Sequence, residues 1–190
     1  EWYIPIIPMI LVNGSEGIGT GFSTKIPSHN PVDIIRNIEN LMSGKEYTNM
    51  KPWFNNFTGS VRFKNIDKCN HNIFESCGVY KKINNKTVEV SELPIGSWTD
   101  NYRDYLEKII YDKSIDVKLQ KKQCIVNFKS YYTESKIRFL ITFRKDELSD
   151  FIKNNELLDI LKLKNSKNSS YSNMHLYNKD GTIQKFHSPK

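Results

Sequence analysis

Hydrophobic residues recur along this chain at two spacings, and the first of them is typical of helices. After Asn30-Pro31, apolar residues return every three or four positions until Met42, and Gly44 follows shortly. Asparagine is a favoured helix cap, proline suits the first turn, and glycine commonly ends a helix. The same spacing occurs twice more, so the pattern predicts three helical regions. They cover residues 31–43, 97–112 and 146–163, the last broken near Asn154-Asn155.

The second spacing is strict alternation, which is typical of strands with one buried face. It is clearest at Ile137, Phe139, Ile141 and Phe143. Two further alternating runs flank the turn residues Asn84-Asn85, which predicts a hairpin. The predicted strands cover residues 61–63, 79–83, 87–93, 124–128, 136–143 and 174–177. The expected fold is therefore α+β, with mostly antiparallel strands and about three helices.

Three segments fit neither spacing. Residues 4–12 are apolar but contain Pro5 and Pro8, which disfavour a helix interior or central strand. We therefore expect extended, buried backbone there. Residues 164–173 are polar and predict a loop, and Asp180-Gly181 predicts a turn.

The segment from Asn13 to Gly21 contains four of the chain's nine glycines. Glycine permits positive φ and lets the backbone approach a ligand closely, so a phosphate-binding loop is one interpretation. A Walker loop, however, places Lys-Ser/Thr after its second glycine, whereas Thr20-Gly21 follows Gly19 here. The dinucleotide fingerprint G-x-G-x-x-G is not matched either, and this interpretation is disfavoured.

Two other interpretations concern Ile18, the bulky residue that the glycines surround. In the first, which composition alone favours, Ile18 fills the core beneath a tight turn. In the second, Ile18 is exposed to solvent as an apolar wedge. Apolar wedges enter base steps of duplex DNA and kink it by roughly 20–90°. The residues alone leave both interpretations open.

Charge points to a polyanionic partner. The chain has a formal net charge of +7, and residues 96–190 hold 18 Lys and Arg against 12 Asp and Glu. Residues 1–95 hold 10 and 9. Such an excess is typical of proteins that bind nucleic acid or a membrane surface. The longest apolar run, residues 4–12, is too short to span a bilayer, so no membrane partner is expected.

The three cysteines, an odd number, predict free thiols in a reducing compartment. Cys69, His71 and Cys77 lie close in sequence, but they lack the paired spacing of a structural zinc site. No metal is therefore expected to bind this chain. The chain opens on Glu1 without an initiator methionine, and we expect it to be part of a longer polypeptide.

Three blocks of sequence together resemble one family. Residues 1–27, which run EWYIPIIPMILVNGSEGIGTGFSTKIP, closely resemble eukaryotic-type DNA topoisomerase II. Pro52-Trp53-Phe54 with Phe57-Thr58-Gly59, and later the run ELPIGSWT at 92–99 followed by Tyr102, are similar to further signatures of that family. Residues 113–190 match only loosely.

The resemblance implies a dimeric enzyme that cuts one duplex, passes a second duplex through the break and reseals it. ATP drives that cycle in a distant domain, and a tyrosine attacks the phosphodiester with help from Mg²⁺. This chain is similar to the tower part of the DNA gate. Residues 1–30 are then a DNA-contacting lead-in, and residues 31–190 form a tower-like α+β domain. The location implied is the nucleus, or a viral or host cytoplasmic compartment for a large DNA virus.

The resemblance also assigns residues. Ile18 matches an intercalating isoleucine that bends the gate duplex. The remaining expected DNA contacts are Gly17, Gly19 and Thr20 in the loop, and Ser23, Thr24 and Lys25 at the phosphate backbone.

Catalytic groups are expected elsewhere. Tyr3 lies in the wrong motif to be the nucleophile, and no Asp-x-Asp cluster or ATP motif is present in the sequence. The chain also differs from the family at Phe22, where tryptophan is frequent, and at Gly96, where arginine is common. Two alternatives are a stand-alone nucleic-acid-binding module without catalytic activity, and a phosphate-binding enzyme built on the glycine loop.

Overall fold

The computed structural model describes residues 4–63, 73–111, 124–133, 136–144, 147–165, 171, 173–187 and 189. The chain divides into two compact units. The first comprises residues 1–57, 61–75 and 166–190, and the second comprises residues 58–60 and 76–165. The predicted boundary between residues 30 and 31 does not coincide with this division.

Both helices and strands are short. The helices among the described residues are α1 (Met9–Asn13), α2 (Pro31–Met42), α3 (Thr99–Tyr111), α4 (Glu147–Lys153) and α5 (Leu157–Ile160). The strands of the first half are β1 (Ser15–Ile18), β2 (Ser23–Ile26), β3 (Ser60–Phe63), β4 (Phe74–Cys77), β5 (Val79–Lys82) and β6 (Thr87–Glu92). The later strands are β7 (Ile125–Tyr132), β8 (Ile137–Phe143), β9 (Lys164–Asn165), β10 (Met174–Tyr177) and β11 (Ile183–Phe186). No helix in these ranges is long and apolar enough to cross a membrane.

The second unit is built on a four-stranded antiparallel sheet in the order β5-β6-β8-β7. Alternate residues of β6 and β8 are fully buried, and they share one cluster with apolar residues of the helices. Phe139 lies at its centre, with its ring 5.1 Å from the Tyr102 ring of α3 in an edge-to-face arrangement. The cluster consists of Val88, Val90, Leu93, Tyr102, Leu106, Ile109, Cys124, Ile125, Phe139, Ile141, Phe143, Leu148, Leu157, Ile160, Leu161 and Leu163.

The opposite face of this sheet is polar, as the alternation predicts. Arg138 follows Ile137 on β8 and donates from Nε to the Glu89 carboxylate at 2.6 Å. Elsewhere in the unit, Gly96 has φ of +81°, a left-handed conformation that glycine adopts without strain. Any other side chain at that position is strained, so the departure from the family pattern matches the local backbone.

The first unit contains two hairpins, β1–β2 and β10–β11, together with α1, α2 and most of β3. Its buried cluster is small and contains Ile26, Tyr171 and Met174, with Leu11, Phe63, Leu176 and Phe186 packed against it. His29 is fully buried, and its Nε2 lies 2.8 Å from the Tyr171 hydroxyl. The unit therefore contains a buried hydrogen bond beside its small apolar cluster.

The prediction of extended, buried backbone at residues 4–12 is wrong. Met9–Asn13 forms α1, and Ile4, Ile6 and Ile10 are exposed. Proline cannot occupy a helix interior, but Pro8 stands at the N-cap, so the four apolar residues that follow it are free to turn helical.

The other helix predictions are confirmed. The Asn30 side chain accepts a hydrogen bond from Val32 N at 2.9 Å and caps α2. The third helical region is divided into α4 and α5, and Asn155 between them has φ of +56°. The hairpin at Asn84-Asn85 is also confirmed, because Asn84 Oδ1 accepts from both Lys86 N and Thr87 N.

Some strand predictions were incomplete. Strand β7 continues to Tyr132 rather than ending at residue 128, and β1, β2, β4 and β11 were not predicted as strands. Within the predicted loop 164–173, Lys164–Asn165 forms β9, and residues 166–170 and 172 lie outside the described residues. Cys69, His71 and Tyr3 also lie outside them.

Replacing Phe139 with alanine should lower the free energy of unfolding of the chain by about 3–5 kcal/mol, because it leaves a cavity in the centre of the buried cluster. Urea denaturation monitored by circular dichroism measures the change. The adjacent exposed position supplies the control: Arg138→Ala should cost within about 1 kcal/mol, since exposed ion pairs contribute little. Equal losses for the two variants would contradict this account of the sheet.

Burial lowers the pKa of His29 below its ordinary value of 6.5. The folded chain therefore keeps His29 neutral to a lower pH than the unfolded chain, which takes up a proton as pH falls below 6.5. Stability associated with His29 is thus present above pH 6.5 and is lost at lower pH, at up to about 1.4 kcal/mol per pH unit. In denaturation experiments between pH 7 and pH 5, His29→Gln should lose less stability than the unaltered chain. If the free energy of unfolding fell equally with pH in the two proteins, His29 would not contribute to this pH dependence.

Candidate nucleic-acid interface

The predicted site residues lie on one hairpin of the first unit, formed by β1 and β2. The two strands pair antiparallel, with Gly17 opposite Thr24 and Ile18 opposite Ser23. Gly14, just before β1, has φ of +71°, and a Cβ there would lie 2.6 Å from the carbonyl oxygen of Ile26. Only glycine fits this close approach, so the backbone contact at Gly14 fixes where the hairpin begins.

Residues 19–22 form the turn at the tip of the hairpin. Gly19 N donates to Phe22 O at 2.7 Å, and Gly21 has φ of +82°. The turn therefore needs a glycine at position 21. Immediately before it, the Ile18 side chain is 93% exposed. The interpretation in which Ile18 fills the core is therefore wrong. Ile26, which belongs to the small buried cluster, lies at the opposite end of the hairpin from Ile18.

Strand β10 and Asn173, the residue just before it, form hydrogen bonds with β2 of this hairpin. Lys25 N donates to the backbone oxygen of Asn173 at 2.7 Å, and Asn173 Nδ2 donates to Ser23 Oγ at 2.6 Å. His175 N donates to Thr24 Oγ1 at 3.3 Å. The edge-to-face contact between the His175 and Phe22 rings, with centroids 5.8 Å apart, extends this support to the turn.

An open cleft of about 480 Å³ lies beside the tip. Four large apolar side chains that line it are exposed: Ile18 at 93%, Tyr177 at 74%, Phe22 at 51% and Ile183 at 43%. The lining residues are Gly17, Ile18, Gly19, Thr20, Phe22, Ser23, Thr24, His175, Leu176, Tyr177 and Ile183. None of these is Asp, Glu, Lys or Arg, so the cleft walls suit an uncharged, apolar group.

The structure brings the seven predicted residues together, but not in equal roles. Gly17, Gly19 and Thr20 flank Ile18 along the cleft, whereas Ser23 and Thr24 already receive hydrogen bonds from β10. The remaining residue, Lys25, forms an ion pair with Glu16, with Nζ 2.9 Å from Oε1.

Residues on the second hairpin were missed by sequence reasoning. Asn173, His175, Tyr177 and Ile183 belong to this surface, although they lie about 150 positions after β2 in the sequence. The alternation at 174–177 predicted a strand, but no feature of the sequence indicated which strand it would adjoin.

Metal-binding groups do not assemble in the described part of the chain. No three His, Cys, Asp or Glu side chains there come together in a way that could hold a metal ion.

The chain is similar to known topoisomerases along its whole length. Residues 1–190 match the family model that describes the A subunit of DNA gyrase/topoisomerase IV. DNA topoisomerase 2 top-2 of Caenorhabditis elegans is 34% identical over 190 residues, which are 100% of this chain and 12% of that protein. DNA topoisomerase 2 of Acanthamoeba polyphaga mimivirus is 34% identical over 235 residues, covering 97% of this chain and 18% of that protein. The chain thus spans less than a quarter of the length of either relative.

A solved structure agrees with this match. The DNA-binding, cleavage and re-ligation domain of Plasmodium falciparum topoisomerase II superposes with a TM-score of 0.84 at 33% identity, over 100% of this chain and 24% of that one. That structure is similar in both fold and sequence, which confirms the resemblance and the α+β fold predicted from the sequence. The chain therefore belongs to the family of DNA gyrase and topoisomerase IV A subunits, within its eukaryotic-type topoisomerase II branch.

Proposed function

We propose that this chain is the DNA-binding and DNA-bending part of an ATP-dependent type II DNA topoisomerase. The whole enzyme passes one duplex through a transient double-strand break in another. Within it, the chain binds the duplex that is cut and deforms it, while other parts of the polypeptide carry out the chemistry.

One observation carries the proposal: Ile18 projects from the tip of the β1–β2 hairpin with 93% of its surface exposed. Water is an unfavourable environment for a large apolar side chain in this position. Inserted between two base pairs, the side chain regains apolar contact and kinks the duplex. Unstacking costs on the order of a few kcal/mol, which the added contacts of bent DNA offset.

The glycines around Ile18 support the same role. A Cβ at Gly17 would meet nothing within 4 Å, so packing inside the chain does not require glycine there. The absence of a side chain instead leaves the backbone open to close approach by a ligand. Thr20 follows at the turn and supplies a hydroxyl beside the wedge.

The β10–β11 hairpin carries lysines that are not part of the cleft lining. Lys179 and Lys185 are exposed on the β10–β11 hairpin, and Lys185 stands opposite His175 in the register. This arrangement fits duplex DNA, whose bases and sugars would face the cleft while its phosphates face the lysines. In the same proposal, Lys25 exchanges its Glu16 partner for a phosphate, and the Ser23 and Thr24 hydroxyls lie near the backbone.

The family relationship supports the wider setting. ATP and Mg²⁺ would serve the whole enzyme, bound by residues outside this chain. A homodimer would bring two copies of the wedge to one duplex. The nucleus is the proposed location, or a viral or host cytoplasmic compartment if the enzyme is viral, since both eukaryotic and mimivirus proteins are among the relatives.

Replacing Ile18 with alanine should reduce DNA bending and leave most of the affinity intact. The change removes the apolar wedge but no charge, so the slope of log K against log salt should stay the same. Energy transfer between dyes at the two ends of a short duplex measures bending, and titrations at several salt concentrations measure affinity. Val32→Ala, which trims an exposed β-branched side chain on α2, is the control. Bending by Ile18→Ala equal to that of the unaltered chain would refute the wedge.

Replacing Lys179 and Lys185 together with glutamine should weaken binding and reduce the salt slope. Each lysine that neutralises a phosphate contributes about 0.9 to that slope, so the double variant should lose up to roughly 1.8. Lys45→Gln, at an exposed lysine just beyond α2, controls for the loss of charge. If the double variant and the control changed the slope equally, the two lysines would not be phosphate contacts.

A further inference from the structure

We propose that β10 sets the position of the Ile18 wedge, and that His175 is the positioning residue through which it does so. This inference rests on the proposed function, because it concerns how the same wedge is held. It goes further by assigning a role to a strand that lies far from the glycine loop in sequence.

The residue across the ladder from Ile18 forms hydrogen bonds with β10 and the residue before it. Ile18 stands opposite Ser23 at the last pair of the β1–β2 ladder. Ser23 Oγ accepts a hydrogen bond from Asn173 Nδ2 at 2.6 Å, and Ser23 O lies 2.9 Å from His175 Nδ1. The hydroxyl and the carbonyl oxygen of the residue directly across from the wedge are thus bonded to β10 and to Asn173 just before it.

The hydrogen-bond pattern defines the state of the imidazole. His175 Nδ1 faces two carbonyl oxygens, Ser23 O at 2.9 Å and Asn173 Oδ1 at 3.0 Å. Because a carbonyl oxygen can only accept, Nδ1 must carry the proton and donate to both. Asn173 in turn donates from Nδ2 to Ser23 Oγ, so its amide orientation is consistent with the same network.

The ring of His175 makes a second, separable contact. It lies edge-to-face with Phe22, the residue just before Ser23, with centroids 5.8 Å apart. The support therefore has a directional part, the Nδ1–H donor, and a packing part, the ring. The directional part is what fixes the angle of the hairpin, because a ring contact tolerates sliding whereas a hydrogen bond weakens steeply with misalignment.

The hairpin needs such support. Two strands of four residues each, joined by a glycine-containing turn, are at best marginally stable by themselves in water. If the hairpin were mobile, ordering it on binding would cost conformational entropy. That cost would offset much of the free energy gained when the wedge inserts between base pairs. The bonds from β10 order the tip before DNA arrives.

Two substitutions at position 175 separate the two contacts. His175→Phe keeps an aromatic ring against Phe22 but removes the donor. His175→Asn removes the ring, and its side-chain amide nitrogen occupies nearly the place of Nδ1, so the donor is kept. We expect His175→Phe to lower the ratio of bent to unbent DNA about two- to tenfold, the effect of losing one net hydrogen bond. We expect His175→Asn to retain most of the bending, and both variants to keep the salt slope of the unaltered chain.

The bending assay includes Ile18→Ala and Gln184→Ala. Gln184 is exposed on β11 of the same hairpin pair and does not line the cleft, so its variant should behave as the unaltered chain. If Ile18→Ala bends DNA normally, the wedge itself fails. If Ile18→Ala loses bending while His175→Phe retains it, or His175→Phe and His175→Asn lose it equally, the wedge stands and the role of His175 fails.

Hydrogen exchange without DNA gives a second measurement that does not depend on bending. The amides of Gly19 and Lys25, which are bonded to Phe22 O and Asn173 O, should exchange about two- to tenfold faster in His175→Phe. In His175→Asn they should exchange at the rate of the unaltered chain. Unchanged exchange in His175→Phe would overturn the inference.

Discussion

The surface around Ile18 depends on the antiparallel ladder of β1 and β2 and on the hydrogen bonds that join it to β10. Ser23 is the shared element, since it pairs with Ile18 on one side and binds Asn173 and His175 on the other. Without that junction the exposed isoleucine is only an apolar residue on a flexible turn. With it, the side chain has a defined direction, which the proposed insertion between stacked base pairs requires.

The two units obtain their stability in different ways. Among the described residues, the main buried cluster of the second unit has sixteen apolar residues around Phe139, the ordinary arrangement of a sheet covered by helices. The buried cluster of the first unit has three, and the hydrogen-bonded pair of His29 and Tyr171 lies beside it. Between its hairpins, the hydrogen bonds from Asn173 and His175 specify orientation more narrowly than apolar contact alone would.

Much of the fold followed from local signals in the sequence. Asn30 and Pro31 identified the start of α2, and alternation identified β8 with its buried face, because both depend on residues only a few positions apart. The helix at Met9–Asn13 was missed because the prolines before it masked its short apolar turn. At the site, the glycines and Ile18 were found in sequence. Asn173 and His175 were not, since the hydrogen bonds that join them to β2 depend on packing across a separation of 150 residues that no local pattern encodes.

That separation also orders the events of folding. Residues 76–165 form nearly all of the second unit as one continuous stretch, whereas the first unit is assembled from stretches on both sides of it. Contacts between distant residues form slowly, because the chain must close a long loop before they contribute. A ribosome adds roughly 5–20 residues per second. The glycine-rich hairpin cannot form its hydrogen bonds with Asn173 until that residue has been synthesised. The second unit can complete its sheet in that interval, so the isoleucine tip is among the last parts of the molecule to reach its final place.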